Sequence, residues 1–168
     1  LNFFRDPERA VPEGESLVVA PADGKIIQIR EMEEPLYLAS MAHRISIFMS
    51  PLDVHVNRSP VTGTVGYVQY IPGEFFAAFE DKASEKNEQT VIGIEHPRGR
   101  VLFKQIAGFL ARRIVNTLRE GETTRKGERF GMIKFGSRVD VFLPRTADVK
   151  VRVGQRSVAG ETVLAELR

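Results

Sequence analysis

Ser137, directly preceded by Gly136, is the position where this sequence is best equipped to make a reactive group. The chain has no cysteine, so its nucleophiles are Ser, Thr, Lys and carboxylates, each needing a base to activate it. A serine hydroxyl can attack the carbonyl of the residue before it and displace the peptide nitrogen in an N→O acyl shift. Glycine leaves that carbonyl unobstructed and tolerates the dihedrals the attack requires. The ester so formed can eliminate to dehydroalanine, which hydrolyses to a pyruvoyl group at a new N-terminus. A bare Gly-Ser pair is more often a β-bulge glycine followed by an ordinary strand serine.

Two further segments supply partners for such a serine. In "SPLDVHVNRSPVTG" (50–63), His55 lies between Pro51 and Pro60, which restrict the backbone that carries it. A neutral imidazole, with an ordinary pKa of about 6.5, can take the Ser137 proton and return it later. A hydrogen-bonded structural histidine is the more frequent occupant of such a segment. In "PADG" (21–24), Asp23 fits a tight turn on local grounds alone. A carboxylate that orients an imidazole is its functional reading.

Composition bounds the remaining chemistry. Three widely spaced histidines and no cysteine leave no local metal signature, and no metal is expected. A net charge of +2, from 24 basic and 22 acidic residues, is too balanced to argue for nucleic acid. Basic residues cluster at Arg112 and Arg113 and through "RKGER" (125–129), either as a solvated face or as an attraction for anionic phospholipid. No run of about 18 apolar residues is present to span a membrane as a helix.

The elements that must position these residues read as strands. With 168 residues, 42% of them hydrophobic, the chain is long enough to bury a core as a single domain over 1–168. β-type patterning predicts strands over 16–20, 25–30, 44–49, 64–71, 90–95, 101–107, 138–143 and 149–153, with a last one near 162–166. Turn sequences such as "PVTG", "IPGE" and "HPRG" separate them. The segment 128–144 reads as one good strand interrupted at Gly136 and Ser137, 108–118 as a helix or a bulged strand, and "EDKASEKNEQ" (80–89) as a mobile polar loop. The fold class expected is all-β, a barrel-sandwich with one or two short helices at most. "LVVAPADGKIIQI" (17–29) and "VKVRVGQRSVAGETVLAEL" (149–167) echo one another and resemble the hairpins of biotinyl and lipoyl domains.

Taken in order, "FFRDPER" (3–9), "PADG", "SPLDVHVNRSPVTG", "YIPGEF" (70–75), "QIAGFLARRIV" (105–115), "RFGMIKFGSRVDVFLP" (129–144) and "GQRSVAGETVLA" (154–165) resemble the phosphatidylserine decarboxylases, specifically their short prokaryotic branch. The resemblance implies a proenzyme that cuts itself between Gly136 and Ser137, giving a β chain of residues 1–136 and an α chain of residues 137–168. It implies that Ser137 becomes a covalent pyruvoyl cofactor, whose carbonyl takes the amine of phosphatidylserine into a Schiff base and accepts electrons as CO₂ leaves, yielding phosphatidylethanolamine. Longer members carry an Asp, His and Ser relay and a D-x-H-x-x-H pattern. Asp23, Asp53 and His55 match, whereas Arg58 stands where the second histidine would be. His43 and His96 match nothing.

Two alternatives remain at this point. One is a pyruvoyl decarboxylase acting on an archaeal serine lipid or a soluble amine. The other is a carrier of biotin or lipoate, for which the only "DK" is Asp81-Lys82 in the polar loop. A lipid substrate implies a membrane surface as partner, at the cytoplasmic face of the cell membrane. Phe3 and Phe4 are the expected inserting residues, with Arg5 and Arg9 among phosphates and a hydrophobic anchor upstream of Leu1. Edge strands of a small β-protein make a homodimer an expectation.

Overall fold

The computed structural model describes residues 7–109, 114–133 and 136–168. In chain order its elements are β1 (Leu17–Val19), β2 (Gly24–Glu34), β3 (Ser40–Met49), β4 (Val56–Arg58), β5 (Gly63–Ile71), α1 (Asp81–Lys86), β6 (Gln89–His96), β7 (Gly99–Ile106), β8 (Ile114–Asn116), β9 (Thr123–Thr124), β10 (Arg129–Ile133), β11 (Ser137–Pro144), β12 (Asp148–Val149), β13 (Arg156–Ser157) and β14 (Val163–Glu166). The fold is all-β, as the patterning predicts, and its largest sheet curls into a half-barrel.

That sheet has eight strands in the order β13-β2-β3-β11-β7-β6-β5-β9, and every pairing in it is antiparallel. Short hairpins set its register. At the β2–β3 turn, which opens at Pro35, the Glu34 carboxylate accepts backbone N–H bonds from Leu36, Tyr37 and Leu38, all at 2.8 Å. Because side chains alternate along a strand, β11 sends Val139, Val141 and Leu143 into the main core with Ile45, Ile47, Val101 and Phe103. Its other face carries Arg138, Asp140 and Phe142, and all of these are buried too.

Two three-stranded sheets close the concave side: β1-β14-β12 and β4-β10-β8. Phe130 of β10 meets Phe103 of β7 edge to face at 5.1 Å, joining the small sheet to the large one through the core. The two echoing segments pair with each other. Leu17 lies opposite Glu166 and Lys25 opposite Arg156, so they interlock.

Several expectations change. The interrupted strand of 128–144 is two strands in two sheets, β10 and β11, with Gly136 at the crossing. Residues 80–89 are not a polar loop throughout. Asp81–Lys86 is a helix that buries Ala83 and Ser84, and Ser84 Oγ donates to Asp140 Oδ2 at 2.6 Å. That helix covers the polar face of β11. The strand expected at 149–153 is confined to Asp148–Val149. Of the ambiguous 108–118, Ile114–Asn116 is a strand, and residues 110–113, with the Arg112 and Arg113 pair, lie outside the described residues. So do Phe3, Phe4 and Arg5.

Candidate active site

Ser137 opens β11, fully buried and in register with Met49 at the end of β3. Both side chains point to the concave face, and the Ser137 hydroxyl donates to Met49 Sδ at 3.5 Å. A thioether is a weak acceptor, so this contact holds the hydroxyl loosely. Met49 Sδ also receives Asn57 Nδ2 at 3.8 Å, and Gln105 Nε2 donates to Asn57 Oδ1 at 3.0 Å. A buried polar chain thus runs from Ser137 into β4 and β7.

Gly136 has φ +53°, in the left-handed region that residues with a Cβ seldom adopt. Its carbonyl oxygen lies so close to Gly108 that a Cβ built there would be 2.0 Å away. Glycine is required on both sides of this contact, once for dihedral and once for space. On the outer side, Gly136 lines an apolar cavity of about 280 Å³ with Phe48, Pro51, Phe79 and Phe109.

His55 precedes β4 and is buried. Ile133 N–H donates to His55 O at 3.2 Å, the last rung between β10 and the β4 segment. Pairing within the small sheet thus ties the His55 backbone to the end of β10, three residues before Gly136. Burial pushes the imidazole below its ordinary pKa. The Asp53 backbone and the charges of Asp53 and Asp23 oppose that shift without overcoming it. His55 is therefore neutral at pH 7, the form a general base requires.

Asp23 sits in the predicted turn, and its carboxylate is committed there: Oδ1 accepts Ala159 N–H at 2.8 Å and Oδ2 accepts Arg9 Nη2 at 3.1 Å. It reaches His55 through charge and not through a hydrogen bond to the ring. Asp53 fixes the 50–53 turn, where its Oδ2 accepts from Ser50 N–H and Oγ at 2.9 and 3.1 Å, and it pairs with Arg156. Arg58 is buried and straps the lead-in segment, donating to Gly127 O at 2.9 Å and Pro7 O at 3.0 Å. His96 carries its ring into the protein, onto Glu15 O at 2.9 Å, although its "HPRG" sequence reads as a surface turn.

Sequence reasoning missed Met49, Asn57, Gln105 and Gly108. Only Gly108 carried a signal, a glycine within a segment otherwise apolar. It missed Arg138 as well. This residue is fully buried, with Nε donating to Asp140 Oδ1 at 2.8 Å, Nη2 to Ser46 Oγ at 2.8 Å and Nη1 to Glu80 O at 3.1 Å. The residue that follows Ser137 is thus fixed to two strands and to the segment before α1. Among the described residues no helix is long and apolar enough to cross a membrane.

Comparison with known proteins gives the family. A family model described as phosphatidylserine decarboxylase matches residues 1–165. The chain is 52% identical, over 99% of its length and 75% of the relative's, to a protein of Salinibacter ruber named phosphatidylserine decarboxylase proenzyme. Proteins of the same name from Chlorobium phaeobacteroides and Carboxydothermus hydrogenoformans are 50% and 48% identical, over 98% and 99% of this chain and 77% and 78% of theirs. This chain belongs to the phosphatidylserine decarboxylase family and is an enzyme of that class.

Proposed function

We propose that the chain cuts its own Gly136-Ser137 bond, converts Ser137 to a pyruvoyl group, and then decarboxylates phosphatidylserine to phosphatidylethanolamine at a membrane surface. The observation that carries this is the junction itself. A left-handed glycine, its carbonyl packed on a second glycine, precedes a buried serine whose hydroxyl bonds to a thioether.

Neutral His55 takes the Ser137 proton as the hydroxyl turns from Met49 toward the Gly136 carbonyl carbon. The new C–O bond replaces the C–N bond, and the freed nitrogen takes a proton to become an amine. Loss of the Ser137 α-proton then breaks the Cβ–O bond and leaves Gly136 as the carboxylate end of the β chain. Dehydroalanine remains at residue 137; its imine tautomer adds water and releases ammonia. The site suits the group that results. Residue 137 is enclosed, and Arg138 pins the backbone beside it after the cut. When formed, the pyruvoyl carbonyl supplies the electron sink for loss of CO₂ from the bound serine headgroup.

Lys82, which a carrier reading would modify, lies on α1 with its Nζ 4.2 Å from the centre of the Phe76 ring, not at a hairpin tip. The test is to incubate the purified protein with phosphatidylserine in mixed micelles. One phosphatidylethanolamine should form per CO₂ released, and prior treatment with a carbonyl reagent such as phenylhydrazine should abolish turnover. Full turnover after that treatment contradicts the pyruvoyl assignment.

A further inference from the structure

Three large apolar side chains stand open to solvent around the Gly136 end of β11: Leu52 is 76% exposed, Phe79 62% and Phe109 66%. They come from three different segments, the turn after β3, the stretch before α1 and the end of β7. Phe79 and Phe109 both line the Gly136 cavity, and Leu52 follows Pro51, which lines it too. Isolated exposed apolar residues need no explanation, but a convergent group marks an interaction site.

Phe79 and Leu52 are presented on a fixed backbone. The Arg138 guanidinium holds the carbonyls of Ala78 and Glu80, on either side of Phe79, and Phe48 meets the Phe79 ring edge-on at 6.1 Å. The Asp53 carboxylate holds the turn that carries Leu52. The border carries Lys25, Lys82 and Arg156 interleaved with Glu80, Asp81 and Asp53. Glu80, next to Phe79, and Asp53, next to Leu52, each have a cationic partner, in Lys82 and Arg156. Exposed Lys25, in register with both Phe48 and Arg156, adds a further positive charge.

We propose that Leu52, Phe79 and Phe109 form a rim that inserts into the headgroup boundary of a phospholipid bilayer, laying the Gly136 end of β11 against the membrane. Separate apolar tips bordered by lysine and arginine suit an interface of acyl chains below phosphates, better than they suit a flat protein face. The assignment rests on the reading that the substrate is a phospholipid. It puts the membrane contact beside Gly136, on the outer side of the Gly136-Ser137 bond, and the residues making it are not those of the N-terminal lead-in.

The chain has no tryptophan, so one introduced at Phe79→Trp or Phe109→Trp reports its own surroundings. Leu36→Trp is the control, since Leu36 lies beyond the far end of β3, roughly 30 Å from Met49 by the rise of a ten-residue strand. The probe is a vesicle of phosphatidylcholine and phosphatidylglycerol, with no phosphatidylserine, so binding is read without turnover. Vesicles should shift the emission of both rim tryptophans to the blue, and lipids brominated near the headgroup should quench them; the control should not respond. The variant Leu52→Ser, Phe79→Ser, Phe109→Ser, if its melting temperature is retained, should partition onto vesicles about tenfold less. An absent shift, an equal shift at Leu36→Trp, or a shift that grows with protein concentration without vesicles overturns the rim, the last assigning it to a second copy of the chain. The micelle assay separates the two readings. Turnover without a rim response removes the docking surface alone, whereas a rim response without turnover removes the decarboxylation and leaves a lipid-binding face.

Discussion

Gly108 and Gly136 touch backbone to backbone: a Cβ on Gly108 would stand 2.0 Å from the Gly136 carbonyl oxygen. That oxygen belongs to the bond that must be attacked, so any side chain at 108 displaces the reacting carbonyl. Gly108→Ala should stop self-cleavage while costing about 1–3 kcal/mol of stability, as overpacking does elsewhere. Gly63→Ala is the comparison, because its Cβ would clash as badly, 2.2 Å from Glu95 O, in a distant part of the sheet. Gel electrophoresis and thermal melting should show both variants weakened and only Gly108→Ala uncut.

Ser137→Ala removes the attacking oxygen and little else. Its hydroxyl makes one weak bond, to Met49 Sδ. The variant should remain a single chain by mass spectrometry and lose under about 1 kcal/mol in urea unfolding. Normal cutting of this variant would rule out the acyl shift.

Burial holds His55 below its ordinary value, so the self-cleavage rate should be level across neutral pH and fall only as pH drops well below about 6.5. Asp23→Asn removes a negative charge that favours the imidazolium. The midpoint should therefore move to still lower pH, and the plateau should fall because the base is weaker. His55→Ala should slow cleavage by roughly 10²–10⁴-fold. A time course of chain cutting between pH 5 and 8 measures all three effects, and a midpoint that rises in Asp23→Asn would remove Asp23 from the site.

Much of the large sheet was legible because β3, β5, β6, β7 and β11 combine β-prone residues with turn sequences at both ends. The small sheet was not, since β4 and β8 span three residues each, too few for a period to show. A glycine that bends one strand and a glycine that passes the chain between two sheets look alike locally, which is why β10 and β11 read as one element. Arg138 and Asp140 occupy alternate positions in β11, a pattern that by itself does not mark a buried face. The short helix α1, with almost no apolar signal of its own, turns that face into an interior. The motifs around Ser137, His55 and Asp23 single them out as candidates, but the commitment of Asp23 to Arg9 and Ala159 depends on contacts distant in sequence.

Burial alone would raise the Asp140 carboxyl, but the charges of Arg138 and Arg44, with hydrogen bonds from Arg138 and Ser84, outweigh it and hold the group below the usual carboxylate range. A carboxyl depressed in the folded state stabilises above its unfolded pKa, and that contribution is lost as pH falls through the lower folded value. Wild-type protein should therefore lose stability progressively below about pH 4. Arg138→Met should cost about 3–5 kcal/mol by leaving Asp140 buried without its partner, and Arg138→Met with Asp140→Leu should recover most of it and flatten the acid dependence. Urea unfolding at pH 7 and pH 3.5 checks both. A double variant no better than the single would show that the pair does not act as a unit.

The central claim is that the Gly136-Ser137 bond is cut by the chain itself and that residue 137 is left as a pyruvoyl group. Intact-mass spectrometry of freshly purified protein tests it most directly. Two polypeptides should appear, one ending at Gly136 as a free carboxylate, the other beginning at residue 137 with no free amine and the mass of a pyruvoyl terminus. A single uncut chain that stays uncut on incubation, or an α chain beginning with unmodified serine, would contradict it.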